Sequence, residues 1–380
     1  MQELEDVYRS IHSRATPIPQ PDIIANSVTY CKAIWAIGDW TMTRACEKLM
    51  VTLRTRLGSK CVLYSPDGTA PDGNLHWTLF QTNTFPVSVS ASDHPTLVEE
   101  GDCLRKLTYS HPHLEITFRG FAMSRYGLFF CGYPSWDVNR IRADIRKGYA
   151  EKGFLIQEPH PQDIAHATLL RLTGELSDDD ITWLKELATR YWNTDLFHFV
   201  PRRWEFGFGT WLQRDGERIV CAEWPVAPRW ILHRGLSAGP DSELENVEAH
   251  LWKQLTDGWD IECDVWCDEQ GRWWLGHDGP EHRICDVDRL LKHPRAWVHC
   301  KNLRALQECV AGKGRTFFFH DTDTAVLTSS GHIWAYPGNI VGGQMGVCVM
   351  PERNGFRLTD ITGVSAVCSD YMPVHFDSDA

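Results

Sequence analysis

No apolar run in the 380 residues approaches the eighteen or so needed to cross a bilayer, so no membrane-spanning helix is expected. The opening Met1-Gln-Glu-Leu-Glu-Asp6 lacks the basic-then-apolar pattern of a secretory leader. Basic residues are outnumbered, 38 Lys and Arg against 50 Asp and Glu, and a net charge of −12 argues against coating duplex DNA through its phosphates. Cysteines number thirteen, an odd count without small-scaffold spacing, which excludes a disulfide-stapled module and fits reduced thiols in a cytoplasmic setting. Walker-type phosphate loops, dinucleotide Gly-x-Gly-x-x-Gly turns, solenoid repeats and low-complexity tracts are all missing. An enzyme acting on an RNA end or on a nucleotide survives these exclusions.

What is present is an ordinary globular composition, 43% hydrophobic and 23% charged, in a chain long enough for two domains. Pro225 and Pro228 interrupt any regular element, which sets domains of residues 1–227 and 228–380. Most of the acidic excess falls in the second. The first domain opens with a helical extension over about residues 1–58, in which Ala45, Leu49 and Leu53 share a face. Strands are expected at Lys60–Tyr64, Leu75–Gln81 and Ile164–Leu172, and a closing hairpin joins Trp204–Leu212 to Arg218–Trp224 around Asp215-Gly216. Helices follow Val138, Ile141 and Ile145, and then Ile181, Leu184, Leu187 and Tyr191, the second opened by Ser177 and Asp180 at capping-box spacing. This is an α+β domain with mostly antiparallel strands. The second domain alternates short strands (Trp230–His233, Asp260–Trp266, Ala296–Lys301, Thr316–His320, Gly331–Tyr336, Gly346–Met350, Val364–Asp370) with short helices or loops. That rhythm predicts a parallel α/β arrangement, a compact, trimmed barrel well short of the usual eight-stranded length.

Two segments carry the first candidate site: His76-Trp77-Thr78-Leu79 and His166-Ala167-Thr168-Leu169. Alternate residues of a strand share a face, so each histidine points with its threonine. Two such strands side by side bring two imidazoles and two hydroxyls to one cleft, enough to open a phosphodiester without a metal. One histidine takes a proton from water, the other gives one to the leaving oxygen, and the threonines hold phosphoryl oxygens. His-x-Thr also occurs at His94 and His320, and Pro95 makes the His94 copy a poor strand. At these residues the chain resembles the two-histidine (2H) phosphoesterase superfamily, over about residues 55–225. The resemblance implies a bilobal α+β fold and metal-independent hydrolysis of cyclic phosphodiesters, commonly the 2′,3′-cyclic phosphate of RNA or nucleotides. Arg171 stands where some members have a basic residue, although strict alternation puts it opposite His166.

The second candidate site is built from Leu232-His233-Arg234-Gly235, Glu245-Asn246, Glu262-Cys263-Asp264-Val265 and Gly276-His277-Asp278-Gly279. Within Asp260–Trp266, Glu262 and Asp264 share one face and Ile261, Cys263 and Val265 the other. Paired carboxylates on one face repel each other unless a cation lies between them. His233 and His277 then flank that metal as general acid and base, and Arg234 grips a phosphate. The ordered set resembles the glycerophosphodiester phosphodiesterase superfamily over about residues 229–374, which implies a TIM-like barrel and a divalent metal, Mg²⁺, Mn²⁺ or Ca²⁺. Asn246 and Lys301 become further substrate contacts. His299 stands where that family has a third acidic ligand, and imidazole suits transition metals; Asp321 and Glu352 are alternative sources of a carboxylate. Cys263 and Cys267 lack partners for a zinc site, and Trp77, Trp266 and Trp334 are candidates for stacking on a base or sugar. The expected protein is a two-domain phosphodiesterase for a small-molecule or RNA-end substrate, metal-dependent only in its second domain. The rivals are a chain with one catalytic domain and one binding domain, and a non-catalytic RNA-end or nucleotide-binding protein.

Overall fold

The computed structural model describes residues 2–21, 30–66, 72–85, 92, 94–158, 163–214, 216–337, 339, 343–357, 361 and 363–376. The chain separates into two compact units, Met1–Thr108 with Leu114–Val226, and Tyr109–His113 with Ala227–Ala380. Asp215, at the expected hairpin turn of the first domain, lies outside the described residues.

In the first unit a thirteen-residue strand, β1 (Tyr30–Met42), occupies the interior of the sheet. It corrects the expected helical extension over residues 1–58. Helices α1 (Gln2–Arg14) and α2 (Arg44–Leu57) flank a strand rich in aromatic and β-branched residues. Cys31–Ala36 are all buried, and burial on both faces erases the alternation that identifies a strand in sequence. Helix α2 forms as expected, capped by Thr43, whose hydroxyl accepts from the Cys46 amide, with Leu49 and Leu53 in the core.

The remaining elements of this unit are β2 (Cys61–Ser65), β3 (Gly73–Asn74), β4 (Trp77–Phe85), α3 (Leu97–Tyr109), β5 (Ile116–Ser124), β6 (Gly127–Pro134), α4 (Asn139–Lys152), β7 (Ala165–Leu172), α5 (Asp178–Tyr191), β8 (Asp195–Gly209) and β9 (Arg218–Pro225). Ser177 and Asp180 form the expected capping box on α5. The strand order is β3-β2-β7-β6-β5-β8-β1-β4, with β9 also on β8, and every pairing is antiparallel except β2 with β3. Strand β8 is long enough to serve two lobes. Its Asp195–Phe199 end pairs with β5, and its Arg203–Gly209 end lies between β1 and β9. One lobe is therefore β4-β1-β8-β9 and the other β8-β5-β6-β7-β2.

The second unit contains β10 (Arg229–Leu232), α6 (Glu248–Thr256), β11 (Asp260–Cys267), β12 (Trp273–Leu275), β13 (His282–Arg283), α7 (Val287–Leu291), β14 (Ala296–Cys300), α8 (Leu303–Glu308), β15 (Thr316–Phe318), β16 (Ala325–Leu327), β17 (Ile333–Ala335), β18 (Gly343–Val349), β19 (Val364–Ser369) and α9 (Pro373–Phe376). The seven strands expected from the sequence pair in parallel, in the order β15-β14-β11-β10-β19-β18-β17. The short β12, β13 and β16 add antiparallel pairings that the sequence reading did not contain. One face of the parallel sheet packs Ile261, Cys263 and Val265 against Leu251, Leu255 and Leu290 of α6 and α7. The other face gathers Ile231, Trp297, Phe318, Trp334, Val349 and Cys368 from six strands. The sheet is curled, because Phe318 and Trp334, from the first and last strands of that order, have ring centroids 4.6 Å apart. No hydrogen-bonded pairing joins those two strands among the described residues.

A buried ion pair ties β1 to α3. Lys32 Nζ lies 2.9 and 2.7 Å from the two carboxylate oxygens of Glu100, which also accept from the hydroxyls of Thr96 and Tyr149. Removing only the cation strands a buried carboxylate, so Lys32→Met is expected to lower stability by about 3–5 kcal/mol. Adding Glu100→Gln should restore much of the loss. Urea unfolding of the two variants beside the parent checks this; equal midpoints for the single and double variants would refute it.

Candidate functional site

Strands β4 and β7 do not pair; they lie well apart in the strand order. The expectation of neighbouring strands is replaced by opposed ones. Even so, His76, Thr78, His166 and Thr168 line one small pocket, together with Trp35 of β1 and with Thr210, Trp211 and Gln213 beyond β8. Convergence comes from the sheet's curl.

Both strands carry the same irregularity. Thr78 pairs with Trp35 and Phe80 with Ile34, which leaves Leu79 unpaired; Thr168 pairs with Phe129 and Leu170 with Leu128, which leaves Leu169 unpaired. A bulge adds one residue and shifts the pleat by one. Gln81 and Arg171 therefore return to the face of the threonines and line the pocket. This corrects the strict-alternation reading of Arg171. Gln81 was not anticipated, although it follows His76 at the interval at which Arg171 follows His166. Deeper residues fix both strands. Buried Arg142 of α4 donates from Nε to the bulged Leu79 carbonyl at 2.9 Å, and the Tyr8 hydroxyl of α1 lies 2.7 and 2.6 Å from the carbonyls of Gly132 and Ala165.

His76 Nδ1 is 2.7 Å from the Asn74 carbonyl oxygen. A carbonyl only accepts, so Nδ1 carries the proton and Nε2 is left with the lone pair. Burial drives the His76 pKa down to about 4, helped by Arg218 and Arg171. His166 falls to about 3 through burial, with Arg142, Arg171 and His76 adding to it. Both rings are neutral at pH 7. The Arg171 guanidinium lies over the Trp211 ring at 5.4 Å, and its buried Nε has no protein acceptor among the described residues. The pocket is thus set to receive an anion. The other His-x-Thr copies lie elsewhere: His94 packs against Phe85 and Phe208, and His320 belongs to the second unit. Trp77 is core, not pocket.

The second unit has a cavity of about 610 Å³ lined by His233, Arg234, Glu262, Asp264, His277, His299 and Lys301. His233, Arg234, His299 and Lys301 lie at or just beyond the carboxyl ends of the parallel strands β10 and β14, where α/β folds place ligands. Ligand atoms of Glu262, Asp264 and His299 all lie within 4.8 Å of one another, and all three residues are buried. Burial, reinforced by Asp264, pushes the Glu262 carboxyl above its usual range. Burial works the same way on Asp264, but His299, Lys301 and Asn246 outweigh it and hold that carboxyl low. Two buried carboxylates and an imidazole form a donor set that fits a divalent cation. Asp321 borders the cavity outside this cluster, and Glu352 accepts from the Asp370 amide.

His233 Nδ1 is 2.6 Å from Asp370, a residue the sequence reading left out, and His277 Nδ1 is 2.6 Å from Asp278. Burial opposes charge on His233, but Asp370 and Glu262 outweigh it and raise its pKa. Arg234 is engaged by carboxylates, with Nη1 2.7 Å from Glu245 and Nε 3.3 Å from Asp264. Asn246 corrects the reading of it as a substrate contact. It is buried and bonded both ways to Asp264, Nδ2 donating to Oδ2 and Oδ1 accepting from the amide, each at 3.0 Å. Lys301, Trp266 and Trp334 do line the cavity. Cys263 and Cys267 are buried in the outer core, as expected.

No protein-family model matches the chain, and no curated protein matches it. Among solved structures it is similar to TT0787 of Thermus thermophilus, at 12% identity and a TM-score of 0.33 over 52% of this chain and 97% of that one. It is also similar to Escherichia coli LigT complexed with 3′-AMP, at 16% identity and a TM-score of 0.31 over 52% and 98%. A third is a conserved protein of unknown function, ATU0111, from Agrobacterium tumefaciens str. C58, at 12% identity and a TM-score of 0.34 over 56% and 97%. These likenesses are weak, and the chemistry of the two sites stands on their own side chains.

The depressed histidines have a consequence for stability. Between the ordinary value of 6.5 and the folded values of about 4 and 3, the unfolded chain binds more protons than the folded one. Stability is therefore lost as pH falls through that window. The double variant His76→Asn, His166→Asn is expected to lose less between pH 7 and pH 4.5 than the parent. Urea midpoints across that range measure it, and parallel curves would show that the two rings titrate normally.

Proposed function

We propose that the chain is a phosphodiesterase with two catalytic sites, one in each unit. The observation that carries the reading is the meeting of two identically bulged His-x-Thr strands, with Arg171, in one pocket. The substrate there is a cyclic phosphodiester, such as the 2′,3′-cyclic phosphate of an RNA end or nucleotide. The phosphate binds among Thr78, Thr168 and Arg171, and its negative charge raises the depressed histidines so that one holds a proton. A neutral imidazole then takes the proton of the attacking water, the protonated one gives its proton to the leaving oxygen, and the ring opens to a monoester. Exposed Trp211, which lines the same pocket, offers a ring face for a base.

In the second unit, which we read as a trimmed α/β barrel, Glu262, Asp264 and His299 would hold a divalent ion. That ion would supply charge neutralisation at a phosphoryl oxygen. His233, oriented by Asp370, and His277, oriented by Asp278, stand as the acid–base pair, and Lys301 faces the same cavity as a phosphate contact.

Assays of the whole chain test each site separately. Hydrolysis of a 2′,3′-cyclic nucleotide should persist in chelator and fall about a hundredfold or more in His76→Ala or His166→Ala. His94→Ala should leave the rate near that of the parent; damage equal to that of His166→Ala would discard this motif assignment. Turnover of an acyclic diester such as bis(p-nitrophenyl) phosphate should vanish in chelator and in Glu262→Ala. Diester turnover that survives both would remove the second site from the proposal.

A further inference from the structure

We infer that the second cavity selects a transition-metal dication over Mg²⁺ and Ca²⁺, with Nδ1 of His299 as the discriminating ligand. The inference rests on the metal-dependent reading of that cavity. It begins with the other nitrogen of the ring. Nε2 of His299 lies 3.3 Å from the backbone carbonyl oxygen of His320. A carbonyl only accepts, so Nε2 donates there, and Nδ1 is the ring nitrogen turned toward the carboxylates of the cavity. That atom lies 2.9 Å from Asp264 Oδ1 and 3.8 Å from Glu262 Oε1. At these distances a cation belongs among the three atoms, either a proton on Nδ1 or a dication held by all of them. A metal-bound histidine commonly has this arrangement, its second ring nitrogen donating to a carbonyl.

The remaining oxygens are arranged to match. Asp264 Oδ2 accepts from Asn246 and Glu262 Oε2 from the Arg234 amide, at 3.0 and 3.1 Å. Each carboxylate thus spends one oxygen on a protein donor and turns the other toward Nδ1. The ring itself is clamped, stacked on Phe318 at 5.0 Å and 8° and on His320 at 4.5 Å and 4°. Turning it to offer Nε2 would break both stacks and lose the carbonyl. Two carboxylates and an imidazole nitrogen, all buried, form a three-atom donor set for a dication. Hard Mg²⁺ and Ca²⁺ prefer oxygen and gain little from a nitrogen, whereas Mn²⁺ gains more and Co²⁺ and Zn²⁺ gain most. The fourth His-x-Thr of the sequence, at His320, therefore acts on the metal ligand and not on a phosphate.

The test strips the full chain with chelator and titrates it calorimetrically with Mn²⁺, Co²⁺, Mg²⁺ and Ca²⁺, alongside His299→Glu. Pulsed electron paramagnetic resonance of the bound Mn²⁺ reads directly whether a nitrogen is coordinated. The parent should bind Mn²⁺ and Co²⁺ about tenfold or more tightly than Mg²⁺ and Ca²⁺. It should also show a nitrogen coupling to Mn²⁺, and His299→Glu should lose the coupling and the preference while still binding Mg²⁺ or Ca²⁺. Should that variant fail to fold, the parent's selectivity and nitrogen coupling decide the matter alone. Equal affinity for the four ions, or Mn²⁺ bound without a nitrogen coupling, overturns the ligand assignment and leaves a metal-dependent site standing. No ion bound by the parent overturns both this inference and the metal-dependent reading beneath it.

Discussion

Strand pleat allows a side chain every second residue on a given face, and the first pocket needs three polar side chains from each of two strands. Regular alternation supplies the histidine and threonine and then turns the sixth residue of the motif away. A single unpaired leucine after each threonine removes that constraint, so Gln81 and Arg171 rejoin the pocket face. The bulges also bury two consecutive apolar residues, Leu79 with Phe80 and Leu169 with Leu170, which anchors each strand in the core behind the site. The Arg142 bond to the Leu79 carbonyl occupies the backbone acceptor that a bulge leaves without a ladder partner. The two strands are near-copies in local form and differ at the last position. An amide on one side and a guanidinium on the other give an otherwise symmetric pair of imidazoles an unsymmetric field.

The two sites differ in their electrostatics. In the first, burial and the surrounding Arg142, Arg171 and Arg218 hold both histidines neutral. In the second, Glu262 and Asp264 sit together on one strand in a buried cavity, a donor set that fits a cation. Burying charged or titratable groups together in this way is costly at either site. Backbone strain follows the same distribution. Of the four non-glycine residues with positive φ among the described residues, Gln213 lines the first pocket, Arg234 lines the second, and Asn246 braces Asp264. Such conformations persist where the surrounding structure over-determines them, and they concentrate where a side chain must be aimed.

Much of this was legible in the chain. All seven parallel strands of the second unit stand at their expected places, because short β-branched runs between loops mark them strongly. The outward turn of Ile261, Cys263 and Val265 opposite Glu262 and Asp264 followed from period two alone. What escaped did so for identifiable reasons. Strand β1 is buried on both faces along half its length and shows no alternation. Arg171 was set on the wrong face because a bulge is a property of two paired strands, and one strand's sequence does not contain its partner's register. Asn246 was misassigned because an amide beside an acidic residue reads alike whether it faces substrate or a ligand's back. Asp370 lies more than a hundred residues from the histidine it orients, and only the pairing of β19 with β10 brings the two together.

That last pairing shows how a parallel sheet brings a histidine to a carboxylate. Strands β10 and β19 run side by side in register, Leu232 opposite Ser369, so the next residue of each, His233 and Asp370, must emerge together at the same edge. The same logic places Asp264 opposite His299 on β11 and β14. Register converts positions far apart in the chain into neighbours at the strand ends, and of the candidate acid–base groups a loop holds only His277. The second site therefore owes its geometry to backbone ladders, which are stiff. Loops and the short turn Pro351–Asn354 add His277, Asp321 and Arg353 to the cavity lining.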